Sequence, residues 1–336
     1  MRQVSAQIAI LSSPDKMATT FRELLEQRGY SPARGILDAM TYYFEDPDGN
    51  FVQQFQSTGF DARFWELYLY AAFTELGYAL DRRHAAPDFH CVGPLGEFFV
   101  EATTVNPSDR PPEITEENRE QYYSDYVPIK FASVLRSKLL KRYWERPHVQ
   151  GKPLLLAVQD FHAKGAMTWS NTALREYLYG IRQNEDPAAP GQIKPQLIEG
   201  YRWEGKEPVP AGFFKQAGSE HVSAVLANPE GTISKFNRMG FISKFGGRDV
   251  HMMRRGLAYQ GGTSPQHFFR EIAEAKYSES WCEGLEVFHN PTALVPLPEF
   301  SMLEAAHTTV QGGQIVSSHP PFFPVGSMTL ILTVED

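Results

Sequence analysis

Cysteine is scarce in this chain of 336 residues, and long apolar runs are missing. Its two cysteines, Cys91 and Cys282, lie far apart and form no CxxC pair, which argues against a disulfide scaffold or a zinc finger. The longest apolar runs, such as Leu154 to Val158, fall far short of the roughly 20 residues that a membrane span needs. The first residues also lack the apolar core of a signal peptide. We therefore expect a cytoplasmic protein without a membrane partner.

Several common catalytic motifs are missing as well. The sequence contains no GxxxxGK[ST], no HExxH and no GxSxG, so it offers no nucleotide-binding loop, zincin site or nucleophile elbow. What it does contain is an ordinary globular composition, with 42% apolar and 21% charged residues, which argues against a disordered chain. Its length predicts about two domains or one large one.

Charge is distributed unevenly. The net charge is 32 − 40 = −8, which argues against a dedicated nucleic-acid binder. Two segments are nevertheless strongly basic: residues 130–152 carry seven lysines and arginines against one acid, and residues 235–255 carry six against one. Each segment is compatible with polyanion binding or with an ordinary solvated face.

The pattern of elements predicts a mixed α/β protein. Residues 1–60 are predicted to form a helix at 16–28 and a hairpin around the turn at 46–50. A buried helix at 61–76, strands near 78–80, 88–92 and 97–105, a helix at 128–144 and a strand at 154–158 follow within a core at 61–180. A loop or boundary is expected at 181–212. The remainder, 213–336, is predicted to be mostly β, with strands at 221–226 and 327–334 and a short helix at 268–275.

Two carboxylates near residue 100 are the strongest candidates for chemistry. Glu101 alternates with apolar neighbours along its strand, and Asp88 opens the strand before it. A carboxylate in such surroundings is costly to bury unless it is paired or binds a metal. Together, Asp88 and Glu101 could hold Mg²⁺ or Mn²⁺, with water and a substrate phosphate completing the coordination.

These residues give the sequence a resemblance to the PD-(D/E)XK nuclease superfamily. The resemblance rests on Pro87-Asp88, on Glu101-Ala102-Thr103 thirteen residues later, on the upstream helix containing Glu66, and on the order of strands and helices over 61–161. It implies a restriction-endonuclease-like core, in which a four-stranded mixed sheet is flanked by helices. It also implies hydrolysis of phosphodiester bonds by a metal-activated water.

Carried over residue by residue, the resemblance assigns a role to each position. Asp88, Glu101 and the backbone carbonyl of Ala102 would bind the metal, and Glu66 would be an accessory acid. The family's lysine is replaced by Thr103, which carries no charge. Lys138 on the following helix is our candidate for the relocated cation. Other residues expected to contact substrate are Thr103, Lys141, Gln159, Lys235 and Arg238.

The predicted function is therefore metal-dependent cleavage of nucleic acid, with DNA as the partner by family analogy. A role in restriction, phage defence or repair would suit such an enzyme. Nucleases that cut both strands are often dimers, so a homodimer stays open. One alternative is a nuclease-like fold that binds nucleic acid or a protein without cleaving. Another is an unrelated hydrolase or metal-binding protein that uses His251, His289 and His307.

Overall fold

The computed structural model describes residues 10–44, 46, 49–168, 170–185, 193–273 and 276–334. They form a mixed α/β protein, which confirms the predicted class, and divide into two compact units. Unit 1 draws on Met1–Ala85, Glu230–Gly284 and Pro321–Asp336, and unit 2 on Ala86–Pro229 and Leu285–Pro320. This division differs from the four consecutive segments expected from the sequence, because each unit combines stretches that are distant along the chain.

The helices and strands have the following bounds in the described residues. The α-helices are α1 Thr19–Glu26, α2 Ser31–Tyr43, α3 Phe51–Phe55, α4 Phe60–Glu75, α5 Arg119–Gln121, α6 Val127–Leu139, α7 Ser170–Tyr179 and α8 Ile233–Ile242. The strands are β1 Ala79–Asp81, β2 Phe89–Gly93, β3 Gly96–Val105, β4 Leu154–Asp160, β5 Ile181–Glu185, β6 Ile193–Leu197, β7 Gly200–Tyr201, β8 Val209–Pro210, β9 Ala224–Ala227, β10 Val250–Tyr259, β11 Gln266–Glu271, β12 Glu286–His289, β13 Ala306–Gln311, β14 Gln314–Ser318 and β15 Phe323–Thr333. A π-helical turn at Tyr122–Tyr126 precedes α6, and a 3-10 turn at Tyr143–Glu145 follows it.

Unit 2 is organised around one large mixed sheet flanked by helices. Within the unit the strand order is β2-β3-β4-β9-β12-β13-β14. β2 runs antiparallel to β3, whereas β3, β4 and β9 are mutually parallel. β4 is buried along its whole length, as its continuous apolar run predicts. Apolar side chains of α6 and α7 pack against β4 and β9 and complete the core of this unit.

Unit 1 contains a helical layer and an antiparallel sheet. The sheet has the order β11-β10-β15. The apolar residues that encircle α4 are buried, which confirms the prediction of a buried helix at 61–76. Helices α2 and α8 approach closely at Gly240, where a Cβ atom would lie 2.2 Å from the carbonyl oxygen of Pro32. Only glycine allows this contact between the two backbones.

The hairpin predicted around residues 46–50 is not formed, because the flanking segments are the helices α2 and α3. The Asp46 carboxylate accepts hydrogen bonds from the backbone N–H groups of Gly49 and Phe51, so the turn leads into a helix. The flanking rings of Phe44 and Phe51 pack against each other at 4.5 Å instead of lying on paired strands. Two residues of the motif, 47 and 48, lie outside the described residues.

Two further predictions of secondary structure in the second half are wrong. The helix expected at 268–275 is strand β11, in which Phe268 is buried and Phe269 is exposed, as alternation along a strand requires. Residues 274 and 275 of that prediction lie outside the described residues. The loop or boundary expected at 181–212 contains two antiparallel pairs, β5 with β6 and β7 with β8, and its residues 186–192 lie outside the described residues. Both errors arose because turn-forming residues and short strands leave a weak periodic signal.

Candidate functional site

The register of β2 and β3 brings the two predicted carboxylates into the same region of unit 2. Phe89 pairs with Val100, so Asp88, one residue earlier, comes opposite Glu101. The Asp88 Oδ2 atom accepts a hydrogen bond of 2.7 Å from the backbone N–H of Ala102. This bond fixes the orientation of the Asp88 carboxylate beside the strand that carries Glu101.

The segment before Asp88 is anchored by side chains that follow α6. Arg146 Nη1 and His148 Nε2 both contact the carbonyl oxygen of Ala86, at 3.0 and 3.1 Å. Because Ala86 lies two residues before Asp88, these contacts restrict the backbone that presents its carboxylate. The position of Asp88 is thus defined from both sides, by Ala86 and by Ala102.

The two oxygens of Glu101 lie in different environments. The residue is only 5% exposed. Its Oε1 atom accepts hydrogen bonds from Lys138 Nζ at 2.6 Å and from the Tyr143 hydroxyl at 2.7 Å. Its Oε2 atom is buried and has no hydrogen-bond partner among the described residues. A buried carboxylate oxygen without a donor is costly, and a cation would relieve that cost.

The pKa of Tyr143 is affected by the negative charge at this site. Burial, together with the carboxylates of Glu101 and Asp88, raises the pKa of Tyr143 far above its usual value. Its hydroxyl therefore stays protonated and donates to Glu101 throughout the physiological pH range. Both carboxylates act on the same hydroxyl, which places them within electrostatic range of one point.

The groups that the sequence assigns to the metal are all oxygen donors. Glu101 Oε2, the Asp88 carboxylate and the carbonyl oxygen of Ala102 are oxygen ligands of the kind that Mg²⁺ and Mn²⁺ prefer. In the described part of the chain, neither Asp88 nor Glu101 belongs to a group of three or more acidic, histidine or cysteine side chains at ligand spacing. The remaining positions of an octahedral shell would belong to water and to a substrate phosphate, as is usual for Mg²⁺.

The other predicted site residues of unit 2 differ in solvent exposure and in their contacts. Thr103 is partly buried on β3, where it pairs with Val158 of β4. Lys141 is exposed just beyond the end of α6. Gln159 is buried, and its amide donates to the carbonyl oxygen of Asn228 at 2.8 Å. Gln159 therefore joins two buried segments, which explains its burial without a substrate.

The predicted site residues of unit 1 have structural partners. Glu66 forms ion pairs with Arg63 at 2.8 Å and with Arg82 at 3.1 Å. Burial raises the pKa of Glu66, and the two guanidinium groups oppose that rise. The role of accessory acid for Glu66 stays a prediction. Lys235 and Arg238 lie on α8 and are fully buried.

Lys235 and Arg238 thus have structural partners inside unit 1, and their assignment to substrate contact stays a prediction. Arg238 pairs with both oxygens of Glu279, at 2.7 and 2.8 Å, and Lys235 Nζ lies 3.2 Å from Glu279 Oε1. Arg254, also buried, pairs with Glu230 at 3.0 Å. The basic segment 235–255 thus does not form the continuous surface that its composition indicated, because half of its cations neutralise buried acids.

The three histidines considered as an alternative metal site are divided between the units. His289 Nε2 lies 2.8 Å from His307 Nδ1 in unit 2, and the two rings stack. His251 is an exposed residue of β10 in unit 1. A hydrogen bond between two imidazoles uses one nitrogen of each, and His307 Nε2 lies 3.0 Å from the carbonyl oxygen of Met302. These contacts account for the partly buried pair without a metal.

Sequence reasoning missed two groups of polar residues in unit 2. Tyr143 is the first, since no local signal marks it as a hydrogen-bond donor to Glu101. The second group is a buried chain of hydrogen bonds, in which Asp160 Oδ1 lies 2.6 Å from His162 Nδ1, and His162 Nε2 lies 2.9 Å from the Tyr122 hydroxyl. The Asp-x-His spacing directly after a buried strand could have indicated that contact.

Comparison with known proteins returns no match among family models, curated proteins or solved structures. Within the described ranges, the helices are too short or too polar to cross a bilayer.

Proposed function

We propose that this chain is a divalent-metal-dependent nuclease that hydrolyses phosphodiester bonds of nucleic acid. The observation that carries the proposal is the split environment of Glu101. One of its oxygens is held by Lys138 and Tyr143, and the other is buried without a donor among the described residues. The strand register puts Glu101 opposite Asp88. A preference for DNA, and a role in restriction, defence or repair, follow only from the resemblance.

Each residue of the site has a distinct task in this proposal. Asp88 and Glu101 bind the cation, and the Ala102 N–H keeps the Asp88 carboxylate in place. Tyr143 and Lys138 hold Glu101 in one rotamer, and Lys138 also brings a positive charge to the edge where the scissile phosphate would lie. A bound Mg²⁺ or Mn²⁺ supplies Lewis-acid stabilisation of the phosphate and lowers the pKa of a coordinated water.

The surroundings of the site support binding to a polyanion. Arg136 and Lys141 are exposed on and just after α6, the helix that carries Lys138, and have no acidic partner within 4 Å among the described residues. The strand arrangement is also compatible with the proposal, since antiparallel β2 and β3 followed by parallel β4, with α6 between β3 and β4 in sequence, matches the order that the resemblance implies.

Metal binding and cleavage test the proposal together. We expect chelator-stripped wild-type protein to bind Mg²⁺ or Mn²⁺ in titration calorimetry and to degrade DNA when either ion is added. Asp88→Asn and Glu101→Gln should each abolish cleavage and reduce metal affinity at least about tenfold. Glu145→Gln, a matched change at an exposed glutamate, should leave both properties unchanged. Cleavage by both site variants at the wild-type rate would contradict the proposal.

A second candidate function is suggested by the ion pair between Lys138 and Glu101. Lys138 is the proposed replacement for the family's lysine, and its ammonium group already binds a carboxylate at 2.6 Å. A nuclease-like fold with Lys138 held in this way could bind nucleic acid without cutting it. That alternative predicts binding that weakens as salt rises but is indifferent to Mg²⁺.

A further inference from the structure

Unit 2 contains a pocket of about 480 Å³ that does not include Asp88, Glu101 or Lys138 in its lining. It lies where β3 ends, between Thr104 to Asn106 on one side and α6 on the other, and residues 206–209 before and within β8 close it. Its size falls within the usual range for small-molecule sites. Along β3, Val105 lies about 13 Å beyond Glu101, at about 3.3 Å per residue.

The position of the pocket in the sheet favours ligand binding. β3 and β4 are parallel, and the pocket lies at the carboxyl end of β3. In open α/β sheets, ligands usually bind outside the carboxyl ends of parallel strands, because the loops that follow them can converge there. Asn106 and Ser108 belong to such a loop.

Among the described residues that line the pocket, three are cations and one is an acid. The cations are Lys130, Arg136 and Lys206, and the acid is Glu207. Their sum is about two positive charges at neutral pH. The rest of the lining includes apolar side chains such as Ile129, Val134 and Val209. The pocket therefore pairs a positive region with an apolar wall.

Lys130 is oriented into this region by the chain itself. Its Nζ atom donates hydrogen bonds to the Asn106 carbonyl oxygen at 2.7 Å and to Ser108 Oγ at 3.0 Å. An ammonium group has three N–H donors, so one donor is left to bind a ligand. Burial and the positive charge of Lys206 lower the pKa of Lys130, whereas Asp160 opposes that shift. A bound anion would relieve the repulsion between the two lysines.

We propose that this pocket binds a phosphate monoester, with the phosphate between Lys130, Arg136 and Lys206 and the organic part against the apolar wall. The dianion of a phosphate monoester matches the excess of two positive charges. A mononucleotide and the terminal phosphate of a nucleic-acid strand both carry this group. The proposal concerns a site separate from the metal-binding carboxylates, and its test does not require cleavage.

Calorimetry with adenosine 5′-monophosphate and with adenosine tests the phosphate requirement. Wild-type protein, stripped of metal, should bind the monophosphate measurably and should bind adenosine at least about tenfold more weakly. Lys130→Met and Lys206→Met should each weaken the monophosphate about tenfold, and Lys164→Met, an exposed lysine outside the pocket, should have no effect. Equal affinity of wild type and both pocket variants, or no binding of the monophosphate, would overturn the proposal.

Two further variants serve as controls. One distinguishes a loss of binding from unfolding, and the other distinguishes the phosphate pocket from the proposed nuclease site. Glu207→Gln removes the one acid among the described lining residues and should tighten binding of the monophosphate, a gain that unfolding cannot produce. Glu101→Gln should leave monophosphate binding intact even though it removes the proposed metal ligand. Weaker monophosphate binding in Glu207→Gln would contradict the charge argument.

The source of the phosphate is decided with a short single-stranded DNA that carries either a 5′-phosphate or a 5′-hydroxyl. Phosphate-dependent binding that is lost in Lys206→Met would support the end of a strand as the ligand. Binding of the mononucleotide alone, with both oligonucleotides indifferent to Lys206→Met, would support a free small molecule.

Discussion

At the scale of single residues, the two carboxylate oxygens of Glu101 have different surroundings. Its Oε1 atom is saturated by Lys138 and Tyr143, whereas its Oε2 atom has no donor among the described residues. The alternation of β3 predicted that Glu101 would be flanked by apolar neighbours. It did not predict the tyrosine, because the contact joins residues that are 42 positions apart.

Removing the Tyr143 hydroxyl should weaken both the fold and the metal site. Tyr143→Phe keeps the ring but withdraws a donor from a buried carboxylate, which costs about 1 to 3 kcal/mol. We expect a lower free energy of unfolding in urea and an altered affinity for Mg²⁺ or Mn²⁺ in calorimetry. Tyr42→Phe, a change at an exposed tyrosine, is the control and should alter neither. Wild-type stability in Tyr143→Phe would show that the hydrogen bond contributes little.

A second residue-scale prediction concerns His289 and the pH dependence of stability. Burial and the neighbouring His307 lower the pKa of His289 from 6.5 to about 4, and Glu299 opposes that shift. Between these values the unfolded chain binds a proton that the folded chain does not. The contribution of His289 to the free energy of unfolding is therefore complete above pH 6.5. It falls by about 1 to 3 kcal/mol as the pH drops toward 4.

Urea unfolding of wild type and His289→Gln at several pH values between 7 and 4 measures this contribution. The variant should lose less stability than wild type over that interval, since glutamine does not titrate. Comparing how the free energy of unfolding changes with pH in the two proteins removes the contribution of the carboxylates, which titrate in both. Parallel slopes would contradict the assignment of the effect to His289.

At the scale of elements, the strongest constraint that local sequence does not reveal is the contact between α2 and α8. Gly240 lies within α8, where glycine is an unfavourable residue for a helix. Its position is explained by the Pro32 carbonyl oxygen, which a Cβ atom would approach to 2.2 Å. The cost in helix propensity is offset by close packing of two helices.

Replacing this glycine tests the contact. Gly240→Ala should lower the free energy of unfolding by about 1 to 3 kcal/mol, because backbone atoms must move apart to admit the methyl group. Gly262→Ala is a matched control, since a Cβ there meets nothing within 4 Å, and its effect should stay within about 0.5 kcal/mol. Equal stability of the two variants would show that α2 and α8 separate easily.

At the scale of the whole molecule, the chain separates its basic residues into two kinds. Those of residues 130–152 lie on and after α6, and several are exposed. Those of residues 235–255 include Lys235, Arg238 and Arg254, which neutralise Glu230, Glu279 and Glu283 inside unit 1. Burial opposes ionisation of Glu279, but Arg238, Lys235 and Arg254 together hold the pKa of its carboxyl well below the usual range.

Breaking this buried network should unfold unit 1 more readily. Arg238→Met leaves Glu279 without its bidentate partner, and removing one member of a buried ion pair costs about 3 to 5 kcal/mol. Arg248→Met, at an exposed arginine of the same basic segment, should have little effect. Thermal unfolding distinguishes them. A stable Arg238→Met that instead loses affinity for nucleic acid would support the predicted contact with substrate.

The sequence by itself determined the elements that have a strong hydrophobic periodicity. It also determined that the two carboxylates lie on neighbouring strands. Three features could be recognised from neighbouring residues alone. They are the continuous apolar run of β4, the apolar residues around α4, and the short connection between β2 and β3. That connection also sets the register that places Asp88 opposite Glu101.

Tertiary structure alone decided which polar residues meet. The pairing of Arg238 with Glu279, of Tyr143 with Glu101, and the convergence of Lys130 and Lys206 on one pocket all join segments that are distant in sequence. A lysine or arginine has the same local pattern whether it contacts solvent, a phosphate or a buried acid. Only the packing of remote segments fixes its partner, since that partner's charge and distance determine the energy of the interaction.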